Sequence, residues 1–176
     1  METEQKDDVL VYHEKDQSYY IGVHKSKSEK YIIIYNSSTL SSDYHILEAK
    51  NPEGKFRNFA AREDEHEYEI AHFENKFYIR TNWNAQNFRL MEVEEGKTAD
   101  KNAWKEVIAH RADVYLEEID VFKNYLVVAE RAKGQMNFRI RSQKDGKEHY
   151  VAFEEEAYTA GMGTNMDMNY ELLRFE

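Results

Sequence analysis

A chain of 176 residues with 34 acidic against 24 basic side chains carries a net charge of −10 and shows no basic stripe, which argues against nucleic acid or an anionic membrane as its main partner. It has no cysteine, which excludes disulfides, thiolate zinc sites and cysteine nucleophiles. Its opening, METEQKDDVL, is polar and acidic rather than a secretory leader, no apolar run approaches a membrane span, and the expected setting is cytoplasmic.

In chain order, short apolar or alternating runs read as strands at Val9–Tyr12, Tyr19–His24, Lys30–Asn36, Asp43–Ala49 and Lys55–Ala60. They continue at Glu67–Phe73, Lys76–Asn82, Asn87–Val93 and Trp104–Ala109. A last group reads Val114–Val121, Asn124–Arg131, Met136–Ser142, His149–Phe153, Tyr158–Gly163 and Asn169–Phe175. Asp145-Gly146 is the strongest turn signal, because a two-residue hairpin turn needs positive φ and glycine supplies it at little cost. Asn75 and Asn124 suit tight turns for a related reason, since asparagine tolerates the left-handed region. The one helical pattern, Thr98–Ile108 with Thr98 as a cap, also alternates through "WKEVIAH" and is read as loop then strand.

The chain repeats itself. "YIIIY" (Tyr31–Tyr35) is echoed at Phe77–Ile79 and at "YLVVA" (Tyr125–Ala129), with a spacing of roughly 50 residues that suits propeller blades. Phe73, Asn75 and Asn87-Phe88-Arg89 likewise return as Phe122, Asn124 and Asn137-Phe138-Arg139. The "YIIIY" and "YLVVA" strands are apolar on both faces, as a strand must be when sheets cover it on both sides. Later strands alternate, Phe138 and Ile140 against Arg139 and Arg141, and so belong further out. The expected fold is therefore all-β, an incomplete β-propeller of about three and a half four-stranded antiparallel blades. Blades are expected at about 18–60, 67–109 and 114–153, with the last strand of another at 9–12 and the start of a further one at 157–176. Such a chain reads as a fragment, whose exposed strand edges would favour self-association.

Motifs that carry chemistry are few. No serine has the G-x-S-x-G frame of a nucleophile elbow. His66-Glu67 and His13-Glu14 begin like H-E-x-x-H, but Ile70 and Gln17 stand where the second histidine is required. Asn165, Asp167, Asn169, Glu171 and Glu176 copy EF-hand ligand spacing, yet Tyr170 replaces the loop's glycine and no entering helix precedes it. "GMGTNM" from Gly161 lacks the third glycine of a dinucleotide loop, and the acidic runs "EDEHE", Glu117-Glu118 and 154–156 read as solvated turns. Trp83 and Trp104 lack a following Asp, and no Gly-Gly pair occurs, so WD40 and kelch signatures are missing. No catalytic, cofactor-binding or metal-ligating residue is assigned, and no cofactor is implied.

The first fifty residues, "DVLVYHEKDQSYYIGVHKSKSEKYIIIYNSSTLSSDYHILEA", resemble the N-terminal propeller of the oligopeptidase B (protease II) branch of the prolyl oligopeptidase family. The resemblance continues through "REDEHEYEIAHFENKFYIRTN", "NFRLMEV" and "LEEIDVFKNYLVVAER" to Leu173-Arg174-Phe175, so it spans essentially the whole chain. It implies a seven-bladed propeller capping a C-terminal α/β-hydrolase domain that cuts short peptides after Arg or Lys with a Ser-Asp-His triad. No position here matches that triad's motifs. The implied role is a non-catalytic cap and size filter, its partners being the hydrolase domain of the same polypeptide and short basic peptides. A stand-alone β-sheet module that binds a protein or peptide partner is the alternative.

Overall fold

In the computed structural model the described residues are 4–153 and 158–176. They form three four-stranded antiparallel sheets, each a simple meander. The first sheet holds β1 (Tyr20–Lys25), β2 (Tyr31–Ser37), β3 (Ser42–Glu48) and β4 (Arg57–Asn58). The second holds β5 (Tyr68–Phe73), β6 (Lys76–Thr81), β7 (Arg89–Glu94) and β8 (Lys105–Ile108). The third holds β9 (Val114–Val121), β10 (Tyr125–Ala132), β11 (Gln135–Ser142) and β12 (Glu148–Tyr150).

The sheets stack face to face because each has apolar side chains on both of its surfaces. Along β6, Phe77 and Ile79 enter a core shared with Tyr31, Ile33 and Ile46 of the first sheet, while Tyr78 enters a core shared with Leu116, Ile119 and Val121 of the third. Along β10, Leu126 and Val128 face the second sheet, and Val127 and Ala129 face outward. That outward face is covered by Tyr158, Ala160, Met162 and Leu173 of the C-terminal segment. Successive strand residues point to opposite faces, so an uninterrupted apolar strand is what stacking on two sides demands. The repeats of "YIIIY" and "YLVVA" thus fall on the second strand of each sheet, as the period predicts.

Several expectations fail, each for a local reason. Val9–Tyr12 is not a strand: no ladder forms there, Val9, Leu10 and Val11 are exposed, and the segment is held by side chains instead. The Tyr12 ring lies 4.5 Å from that of His45, and Glu14 pairs with Arg62 at 2.5 Å. Lys55–Ala60 shrinks to the two residues of β4 at the sheet's outer edge. Tyr158–Gly163 and Asn169–Phe175 reduce to one bridge, Met162 to Phe175. The Arg174 N–H is taken by the Asn165 side chain at 2.9 Å, so a side-chain bond stands where a ladder bond was expected.

Turn chemistry differs too. Asp145-Gly146 ends a four-residue loop closed by Ser142 N–H to Lys147 O at 2.8 Å, with Gly146 at φ 68°. The turn that needs two consecutive left-handed residues is Lys133-Gly134, at φ 51° and 81°. Between β5 and β6 the left-handed residue is Glu74, at φ 55°, rather than Asn75. Residues 98–104 carry one 3₁₀ turn, Lys101–Ala103, capped by the Asp100 side chain rather than by Thr98.

Candidate functional site

The first strand of each sheet, β1, β5 or β9, is an edge strand, and β5 packs against β9. His24 of β1, Ile70 of β5 and Asp120 of β9 line one cavity, so the three edges face a common axis. Around it lie a cavity of about 270 Å³, lined by His24, Lys27, Ile70, His72, Asp120 and Asn165 among others, and a cleft of about 350 Å³ between the first two sheets. Tyr35, Tyr44, Glu67, Glu69 and Arg80 line the cleft.

The axial wall is acidic. Burial pushes the Glu69 carboxyl above the usual carboxylate range, Glu118 and Asp120 push it further, and Arg80 opposes them. Glu118, solvent-exposed on β9, is raised by partial desolvation and by Asp120, again against Arg80. Asp120 is raised by burial and pulled back by Lys27, whose Nζ sits 2.7 Å from Asp120 Oδ1. Arg80 stands opposite Glu69 in the β5–β6 ladder but spends its hydrogen bonding elsewhere. Its Nε donates to Leu116 O at 2.7 Å, and its guanidinium lies 3.7 Å over the Phe88 ring. Three carboxylates sharing two cations favour a cationic group at the axis and disfavour an anionic one.

The seam between the first two sheets is clasped by serines. Ser42 Oγ donates to Tyr68 O at 2.7 Å and accepts the Tyr68 N–H at 2.8 Å, while Ser41 Oγ accepts the Glu65 N–H at 3.0 Å. These bonds fix β3 on the start of β5 and so set the width of the cleft.

The residues weighed on sequence fall in various places. Glu117-Glu118 is not a turn but lies inside β9, where Glu118 joins the axial wall. "EDEHE" holds a buried histidine: His66 Nε2 meets Thr81 Oγ1 at 2.9 Å and its Nδ1 faces Lys101 Nζ at 3.0 Å. Asn165 and Asp167 do not converge, since Asn165 bonds the Gly163 and Arg174 backbone and Asp167 accepts the Asn169 N–H at 2.8 Å. The acidic run 154–156 lies outside the described residues. Glu69 and Asp120 were missed on sequence; the available signal was an acidic residue at an alternating position of the first strand in the second and third repeats, β1 having none.

Residues 1–175 match the family described as prolyl oligopeptidase, N-terminal beta-propeller domain. The chain belongs to this family. It is 37% identical over 169 residues to dipeptidyl aminopeptidase BI of Pseudoxanthomonas mexicana, covering 96% of this chain and 23% of that protein. It is 28% identical over 171 residues to protease 2 of Moraxella lacunata, covering 96% of this chain and 24% of that one. The chain thus spans about a quarter of the length of the curated relatives it matches. Among solved structures, oligopeptidase B from Leishmania major superposes with a TM-score of 0.88 at 24% identity, covering 99% of this chain and 26% of that one. The Trypanosoma brucei enzyme, in its closed form with covalently bound antipain, gives 0.87 at 21%, covering 98% and 26%. These likenesses establish the fold: three stacked sheets of a prolyl oligopeptidase-family propeller.

Proposed function

We propose that the chain caps and size-filters access to the catalytic domain of a cytoplasmic serine oligopeptidase that cleaves short peptides after Arg or Lys. The peptidase triad is then carried on polypeptide outside this chain. The observation that carries the reading is the acidic axial wall of Glu69, Glu118 and Asp120 on a family propeller, which suits the passage of cationic peptides. The 37% identical relative is named a dipeptidyl aminopeptidase, which favours a second reading in which the parent enzyme releases dipeptides from a free amino terminus.

Two substrates separate the readings. The parent polypeptide is assayed on an N-blocked reporter ending in Arg or Lys and on the same reporter with a free dipeptide amino end. Turnover of the blocked substrate supports the first reading, and turnover of only the free one supports the second. The 176-residue chain is expected to cleave neither. Peptide cleavage by that chain alone overturns the proposal.

A further inference from the structure

Beside the axial mouth, three side chains from separate parts of the chain form a hydrogen-bonded line. Ser28 Oγ lies 2.6 Å from His72 Nδ1, and His72 Nε2 lies 2.6 Å from Glu95 Oε1. Ser28 belongs to the turn between β1 and β2, His72 to β5, and Glu95 to the 3₁₀ turn after β7. The imidazole is 4% exposed and is held edge-on between Tyr31 and Phe77, each ring centroid 4.9 Å away. It cannot turn without displacing core aromatics.

The proton positions follow from the partners. A carboxylate at Nε2 only accepts, so Nε2 carries the hydrogen and Nδ1 presents its lone pair. Ser28 must then donate its hydroxyl hydrogen to Nδ1. Ser26 Oγ, 2.9 Å from Ser28 Oγ, accepts the Tyr31 N–H at 3.0 Å and gives its own hydrogen to Ser28. Lys30 Nζ pairs with the same Glu95 oxygen, Oε1. A hydroxyl aimed at a neutral imidazole that is itself oriented by a carboxylate is the arrangement of an activated nucleophile.

The surroundings agree. The turn is tight, with Glu29 N–H to Ser26 O at 2.7 Å, and it places Glu29 at a left-handed φ of 61°. Ser28 is half-buried and lines an open groove of about 640 Å³ with Lys27, Lys123, Asp167 and Asn169 among its other walls. Among the described residues the Ser28 backbone N–H donates no hydrogen bond, so it is free to meet an oxyanion.

We propose that Ser28 is a reactive nucleophile, with His72 as its base and Glu95 as the group that orients His72, and that it takes acyl groups from small activated esters. In the step, Ser28 Oγ bonds to the ester carbonyl carbon as its hydrogen passes to His72 Nδ1. The carbon–aryloxide bond breaks, and the aryloxide leaves with the proton that His72 held. Burial, the largest influence, and the neighbouring Lys30 lower the His72 pKa while Glu95 and the Glu74 backbone raise it, and the net direction is down, which favours a neutral base near pH 7.

The test uses the 176-residue chain with p-nitrophenyl acetate and a fluorophosphonate, read by intact mass and peptide mapping. One adduct is expected, on Ser28, and Ser28→Ala abolishes it. His72→Gln slows labelling on the order of 100-fold, the usual worth of a positioned base. The wild-type rate should rise with pH through an apparent pKa below 6.5 and then level off. An absent adduct, an adduct on another residue, or a labelling rate that tracks free hydroxide overturns the proposal, and the pH profile does so even if His72→Gln fails to fold. The readout is a covalent mass, not peptide cleavage, so this proposal and the oligopeptidase reading can fail separately.

Discussion

The first and third sheets have the same topology and nearly the same strand pattern, yet they keep different company. Tyr20 and Val23 of β1 are 82% and 67% exposed, and because Tyr20 and Ile21 point to opposite faces, β1 stands clear of the core on both sides. In the third sheet β9 alternates buried residues against the second sheet, β10 is buried on both faces, and residues 158–176 cover the outer surface. Burial of a strand in this architecture is decided by what lies on either side of its sheet, not by the strand's own composition.

Core truncation should separate the two sheets most widely. Phe138 is fully buried and packs against Phe153 and Phe175, with centroids 6.2 and 5.5 Å away. Phe138→Ala is expected to cost about 3–5 kcal/mol in urea unfolding. Tyr20→Ala should stay within about 0.5 kcal/mol. If Tyr20→Ala proved as damaging as Phe138→Ala, β1 would be covered in solution, and sedimentation of the chain would show whether a second copy covers it.

A pH titration sharpens the comparison at the joint between the first and second sheets. Burial first, then Lys101, push His66 down to about 4, against the pull of Glu63. The Lys101 ammonium donates to Nδ1, so a protonated ring would set two cations face to face. The unfolded histidine titrates near 6.5, and between that pH and 4 the unfolded chain binds the extra proton. Stability is therefore complete above pH 6.5, is lost as pH falls, and has lost its full share below 4. A depression of this size corresponds to about 3 kcal/mol, and the 3% exposure of His66 makes solvent screening small. The raised carboxylates Glu69, Glu118 and Asp120 act in the opposite sense, so the effect is read as the difference between wild type and His66→Gln. A difference that does not change between pH 7 and 4 would remove His66 from the account.

What could be read from the sequence follows the range of the forces involved. β2, β6 and β10 were legible because stacking on both faces leaves a local mark, a run of apolar residues with no polar interruption. β9 was legible to the residue. The segment 9–12 was not, because a strand needs a partner and "VLVY" does not say whether one is present. Its anchors, Tyr12 on His45 and Glu14 on Arg62, join positions more than thirty residues apart. The axial wall fails for the same reason. Glu118 looks like any charge in "LEEID" until β5 is laid beside β9, and Ser28, His72 and Glu95 show no mutual spacing at all. Strand identity is local information here, whereas every candidate for chemistry is made by contacts between sheets.

A smaller effect than that of Phe138 or His66 is expected where the first and third sheets touch directly. Lys27, from the turn after β1, reaches Asp120 in β9 at 2.7 Å and lies 3.6 Å over the Phe122 ring. Both side chains keep some solvent contact, 19% and 17% exposed, so the pair falls between a surface bridge and a buried one. Lys27→Ala should cost about 1 kcal/mol. Lys27→Met keeps the stem over Phe122 and removes only the charge, so the gap between the two variants measures packing apart from electrostatics. In both variants Asp120 loses the cation that opposes its burial, and its carboxyl should titrate higher still, visible in the carboxyl carbon shift. An Asp120 titration that did not move in Lys27→Met would mean that the ammonium is not paired there in solution.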